Sequence, residues 1–175
     1  MYIWIACNVQ DSLAELRELC LRNNEDIKLD TVAFTLPAHI SLKISFEVPD
    51  SEADGVISTV ARYLSGAPHF SVSDPHIEQN GSILWVSYRE NDILDRLHSE
   101  LDQLLLDKYE VEQHPYDKCF KFHSTLFIDE RVDGLQLMMD RLSAVSLPRK
   151  IKVQDYIIGT SHSGKAGEYH VRLHI

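Results

Sequence analysis

The stretch Leu36-Pro37-Ala38-His39-Ile40-Ser41-Leu42-Lys43-Ile44-Ser45-Phe46-Glu47-Val48 alternates at period two. Ile40, Leu42, Ile44, Phe46 and Val48 fall on one face, and His39, Ser41, Lys43 and Ser45 on the other, the pattern of a half-buried strand with a polar face. Further along, Phe120 to Ile128 holds a second unit of the same kind, His123-Ser124-Thr125-Leu126. Residues two apart in a strand point the same way, so each unit aims an imidazole and a hydroxyl into one space.

Working outward, both units lead through a short acidic connection into an amphipathic helix. The first helix opens at Asp50 or Ser51, carries Val56, Ile57, Val60, Ala61 and Leu64, and stops at Ser65-Gly66. The second carries Leu135, Met138, Met139 and Leu142, and Pro148 bars its continuation. This approximate repeat reads as two related halves, whose polar motif faces would line a common cleft if a pseudo-twofold axis relates them.

The rest of the chain fits around that repeat. Tyr2 to Asn8 is a strand, and Ser12 with Glu15 forms a capping-box pattern for a helix bearing Leu13, Leu16, Leu19 and Cys20 and ending at Asn23-Asn24. His69 to Ser73 and Ile83 to Tyr88 are strands in a meander, with Asn80-Gly81 as a tight turn. A helix starts near Asn91 with an apolar stripe of Ile93, Leu94, Leu97, Leu101, Leu104 and Leu105. Ile151 to Ile158 and Tyr169 to Ile175 read as a closing hairpin whose loop, Ser161 to Gly167, is a candidate gate.

Composition narrows the setting. The chain's 175 residues are 44% hydrophobic and 25% charged, ordinary for one soluble globule. No apolar run reaches the roughly 20 residues of a membrane span, and the start lacks a signal-peptide pattern, so the expected location is the cytoplasm, away from membranes. Cys7, Cys20 and Cys119 are scattered and odd in number, which suits reduced core thiols better than disulfides or thiolate zinc. A net charge of −10 with no Lys/Arg tract excludes a grip on long duplex nucleic acid. A small nucleotide or RNA-end phosphate fits that balance, with a monomer as the expected state.

Phosphodiester hydrolysis needs a base to activate water and an acid to protonate the leaving oxygen. Imidazole, with a reference pKa of about 6.5, does either near neutrality. With one of His39 and His123 neutral and the other protonated, and Ser41 and Thr125 donating to non-bridging phosphate oxygens, no metal or other cofactor is required. Lys43 extends the same face, either as a phosphate contact or as a solvated strand lysine.

In a chain of this length, HISL and HSTL at this spacing resemble the motifs of the 2H phosphoesterase superfamily, which includes the 2'-5' RNA ligases and RNA 2',3'-cyclic phosphodiesterases. The resemblance covers nearly the whole chain. It implies an α+β fold, a single domain over residues 1–175 of two lobes related by a pseudo-twofold, with two antiparallel sheets flanking a central groove and helices outside. It also implies catalysis by His39 and His123, phosphate contacts from Ser41 and Thr125, and opening of a 2',3'-cyclic phosphate to a 2'-phosphate. The sequence departs from the family in three places: Ala38 stands between Pro37 and His39, Phe122 precedes His123, and Phe127-Ile128 stand where an arginine is common in the ligase branch. A non-catalytic nucleotide- or RNA-phosphate binding module using the same cleft is the alternative reading.

Other features compete for attention. His69-Phe70-Ser71-Val72 repeats the pattern but leads to Asp74-Pro75 without a following helix. His170, Arg172 and His174 share one face of the last strand, solvated or bordering the groove. Trp85, Phe46, Phe122 and Tyr116 are core aromatics or base-stacking platforms, and His114 and His162 in loops lack evident metal partners.

Overall fold

Tyr2–Asn8 (β1) is apolar on both faces, and both are buried. Ile3, Ile5 and Cys7 enter the main core, while Trp4 and Ala6 join Ile157 in a smaller cluster on the other side. A strand buried on both faces belongs inside a sheet. In this computed structural model β1 lies between His39–Glu47 (β2) and Asp155–Ser161 (β8), with His170–His174 (β9) beyond, in the order β2-β1-β8-β9. The structure describes residues 1–175, except for the side chains of residues 118 and 119. The expectation for the Cys119 thiol therefore lies outside the described residues, whereas Cys7 and Cys20 are free and fully buried.

Between these strands the chain forms α1 (Gln10–Ile27), α2 (Asp50–Leu64), β3 (Phe70–Ser73), β4 (His76–Asn80), β5 (Ile83–Ser87), α3 (Asp92–Tyr109), β6 (His123–Ile128), α4 (Val132–Leu142) and β7 (Lys150–Val153). The fold is α+β, with three sheets where two were expected: the four-stranded sheet, a three-stranded sheet β4-β5-β6 and a two-stranded ribbon β3-β7. All pairings are antiparallel. The ribbon arises because the run Ile151 to Ile158 breaks at Gln154. Its first part pairs with β3 and its second with β1, so β3 stays out of the β4-β5 hairpin. Gly81 at φ +58° makes that hairpin's turn, as Asn80-Gly81 predicts.

Two helix ends differ from the sequence reading. Helix α1 starts at Gln10 because the Asn8 side chain accepts the Gln10 N–H at 3.0 Å, while Ser12 Oγ instead accepts the N–H of Lys152 at 3.3 Å. The helix also runs past Asn23-Asn24 to a left-handed Lys28. Asn24 is buried there with its side-chain amide bonded to both the N–H and the C=O of Leu29, at 2.7 and 2.9 Å. By contrast, Asn91 caps α3 as read, accepting from the N–H groups of Ile93 and Leu94.

The motif strands β2 and β6 are edge strands of different sheets that meet side by side. Ser124 Oγ donates to the His39 carbonyl at 2.7 Å, so the Tyr88 hydroxyl, 2.7 Å away, must donate to Ser124 in turn. No helix among the described residues is long and apolar enough to cross a membrane.

Candidate active site

Each motif contains a bulge, and the bulged residue is its leucine. On β2, Ala6 faces Ser41 but Ile5 faces Lys43, so Leu42 has no partner of its own. On β6, Trp85 faces Thr125 but Leu84 faces Phe127, so Leu126 is skipped likewise. A bulge reverses the alternation beyond it. His39 and Ser41 thus stay on the side of Asn8 and Ala6, while Lys43 turns to the core side of Ile5. A second register shift between Ile3 and Ile5 restores the original phase further along β2.

This overturns the phosphate-contact reading of Lys43, and equally the solvated one. Its side chain is 1% exposed, with the ammonium 2.7 Å from Asp102 and paired also with Asp117. His98 completes the cluster: one ring nitrogen lies 2.7 Å from the Leu42 carbonyl, the other 3.2 Å from the Asp117 carbonyl. His98, Asp102 and Asp117 are also the one group among the described residues whose donor atoms gather closely enough to suit a metal. The two carboxylates already share the Lys43 ammonium, and the group lies on the core side, away from Ser41. His114 and His162 are not part of it.

His39, Ser41, His123 and Thr125 are all half-buried. The two imidazoles are held alike: Nδ1 of His39 lies 2.8 Å from the Pro37 carbonyl, and Nδ1 of His123 lies 2.6 Å from the Lys121 carbonyl. A carbonyl only accepts, so each Nδ1 carries its proton and each Nε2 is left to accept or deliver one. His76 makes the same contact with Asp74 at a strand start, which marks it as local geometry that the motifs exploit.

Both pKa values fall below the ordinary histidine range, chiefly through desolvation. His39 is lowered to about 4, burial being opposed by its carbonyl partner and reinforced slightly by the charges of Arg17 and His123. His123 is lowered as well, burial being opposed by its carbonyl partner; the Lys121 ammonium lowers it further and Glu78 raises it.

Sequence reasoning passed over the residues that hold these rings. Trp4 meets His39 edge-on at 4.5 Å between centroids, with its indole N–H 3.4 Å from Ser41 Oγ. Trp85, read as core or a base platform, is tilted only 31° to His123 at 4.2 Å and donates to Glu78 at 2.7 Å. Gln10 accepts the Ala38 N–H at 2.8 Å while the Ala38 carbonyl accepts from Val9, which fixes the extra residue between Pro37 and His39. Arg17 reaches back to the Ala33 and Leu36 carbonyls at 3.2 and 2.9 Å. The aromatic signal was visible in the sequence, but which rings meet depends on strand register.

The remaining candidates disperse. His69, just before β3, and Ser71 on it are both exposed. A bulge at Arg172 splits the last strand's polar set: Arg172 lies 4.0 Å from Asp54 of α2, whereas His174 lies 3.6 Å from Asp155. Phe46 and Phe122 pack against the core, and Tyr116 is 74% exposed.

The sequence itself matches no family model and no curated protein. The fold does match solved structures along the whole chain. TT0787 of Thermus thermophilus superposes with a TM-score of 0.64 at 16% identity, covering 100% of this chain and 97% of that one. A structure described as a phosphoesterase gives 0.61 at 15% identity, covering 99% and 95%. Escherichia coli LigT, crystallised with 3'-AMP, gives 0.60 at 17% identity, also covering 99% and 95%. Two edge strands, each with a histidine, a hydroxyl and a bulged leucine, are thus set within a fold that this chain shares with LigT and with the structure described as a phosphoesterase.

Proposed function

We propose that the chain is a metal-independent phosphodiesterase that hydrolyses a 2',3'-cyclic phosphate or 2'-5' phosphodiester of a nucleotide or short RNA end. The observation that carries this reading is the matched pair of imidazoles, each with Nδ1 bound to a carbonyl and Nε2 free, beside Ser41 and Thr125. LigT, of the same fold, has been crystallised with 3'-AMP, ATP and phosphate, which supports a small phosphate ligand here.

In this mechanism His39, held neutral by its lowered pKa of about 4, takes a proton from water as the water oxygen bonds to phosphorus. His123 is the acid. Burial and the Lys121 ammonium disfavour its charged form in the free protein, whereas the Trp85 ring, the Glu78 carboxylate and, once bound, the phosphate's charge favour it. Its Nε2 proton goes to the departing 3' oxygen as the P–O bond breaks, leaving a 2'-phosphate. Ser41 and Thr125 donate to the non-bridging oxygens as charge builds there.

Chelator-treated protein should open 2',3'-cyclic nucleotides, cyclic RNA ends or 2'-5' oligonucleotides to 2'-phosphate or 2'-hydroxyl products. His39→Ala and His123→Ala should each lose about 10²- to 10⁴-fold in rate, and the double variant little more. No turnover across that panel, or wild-type rates in the single variants, overturns the proposal.

A further inference from the structure

The candidate site needs positive charge. A cyclic phosphodiester is already an anion, and attack by water drives more negative charge onto its non-bridging oxygens, where Ser41 and Thr125 offer only dipoles. Preorganised cations at such a position give large stabilisation. Of the other cations, Lys43 is committed to Asp102 and Asp117 in the core and Arg17 to two carbonyls and the face of Phe34, while Arg172 stands toward Asp54 of α2 in an exposed pair 4.0 Å apart.

Lys121 differs from all three. Its carbonyl accepts the Nδ1 proton of His123, and its ammonium stands 5.2 Å above the ring of Trp85, which stacks on His123. The ammonium is paired with Glu78, but the pair faces solvent, with Lys121 57% and Glu78 30% exposed. Exposed pairs of this kind contribute little, so exchanging the carboxylate for a phosphate oxygen costs little. Glu78 keeps a partner when the ammonium leaves, because the same Oε1 also accepts the indole N–H of Trp85.

Resting on the hydrolase reading of this site, we propose that Lys121 is its phosphate-binding cation, parked on Glu78 and Trp85 and transferred to the substrate's phosphate when that docks at His123. The charged and titratable groups around His123 are then Lys121 before it, Glu78 across Trp85, and His39 on β2. Lys121 and Glu78 act on the His123 proton in opposite senses.

The test is run on the full chain, with titration of inorganic phosphate, NMR titration of the His123 ring, and kinetics on a 2',3'-cyclic nucleotide. Lys121→Met should weaken phosphate binding and raise KM by about tenfold or more, Lys121→Arg should restore most of both, and Glu78→Gln should tighten phosphate binding by releasing the ammonium. In NMR, Lys121→Met should move the His123 titration to higher pH and Glu78→Gln to lower pH. Wild-type phosphate affinity in Lys121→Met, equal losses in the Met and Arg variants, or His123 shifts of the same sign in Lys121→Met and Glu78→Gln would each overturn it. The phosphate and NMR measurements need no turnover. A chain that shows these shifts but hydrolyses nothing would refute the hydrolase reading and leave Lys121 as the phosphate ligand.

Discussion

The two motif strands share a plan and diverge at one residue. Both place a histidine and a hydroxyl on one face, bulge at the following leucine, and turn the next side chain to the core. In the second half that side chain is Phe127, fully buried among other apolar groups. In the first it is Lys43, which needs two carboxylates around it. The bulge fixes the direction and leaves the chemistry free. A phenylalanine there is simple packing. A lysine demands Asp102 from α3 and Asp117 from the turn before β6, so the first half is stapled to the approach to the second.

The comparison breaks most sharply at Lys43. Lys43→Ala leaves two carboxylates buried without a counter-charge and should cost about 3–5 kcal/mol, read as a lower urea midpoint. Phe127→Ala should cost about as much, by leaving a cavity instead. Converting the first half to the second's solution, with Lys43→Met, Asp102→Asn and Asp117→Asn together, should recover much of the Lys43→Ala loss. If the triple variant is no more stable than Lys43→Ala, unpaired charge is not what makes that site costly.

The halves also differ in acid sensitivity. His39 has a folded-state pKa of about 4, below the ordinary histidine value. Protonation therefore favours unfolding: the stability tied to neutral His39 is full above about pH 6.5 and is lost as pH falls toward 4. Denaturant titrations over that window should show a decline that His39→Gln removes, and activity should fall on the same acid limb. Ser124→Ala should come next, at about 1–2 kcal/mol, because it removes the donor to the His39 carbonyl and leaves the Tyr88 hydroxyl without its acceptor. The smallest effect is expected for Gln10→Ala, which frees the Ala38 N–H: about 1 kcal/mol or less in stability and a severalfold fall in kcat, with KM nearly unchanged.

The sequence carried the motif strands, the four helices and the Asn91 cap because each is written in local periodicity or in one side chain's reach to its own backbone. Lys43 was misplaced because alternation assumes a regular ladder, and a bulge is visible only once the neighbouring strand is known. Ser12 looked like a cap, but Asn8 stood closer to the first turn. The run Ile151 to Ile158 reads as one strand since nothing local at Gln154 says that its two parts will find different sheets. Trp4 and Trp85 could be read as core residues but not as neighbours of the histidines, and Lys121, two residues before His123, gave no sign that its ammonium meets Trp85 and Glu78, since these placements follow from register between distant segments.

The central position of β1 has a consequence for how the protein is made. Its partner β8 lies far along the chain, so that Asn8 reaches Asp155 across 147 positions. At about 5–20 residues per second on a ribosome, β1 and β2 wait roughly five to twenty-five seconds with one edge of β1 unpaired. That edge carries Trp4 and Ile5, and an exposed apolar edge is a template for pairing with another chain. The interval between synthesis of β2 and arrival of β8 is therefore when that edge is most open to pairing with another chain.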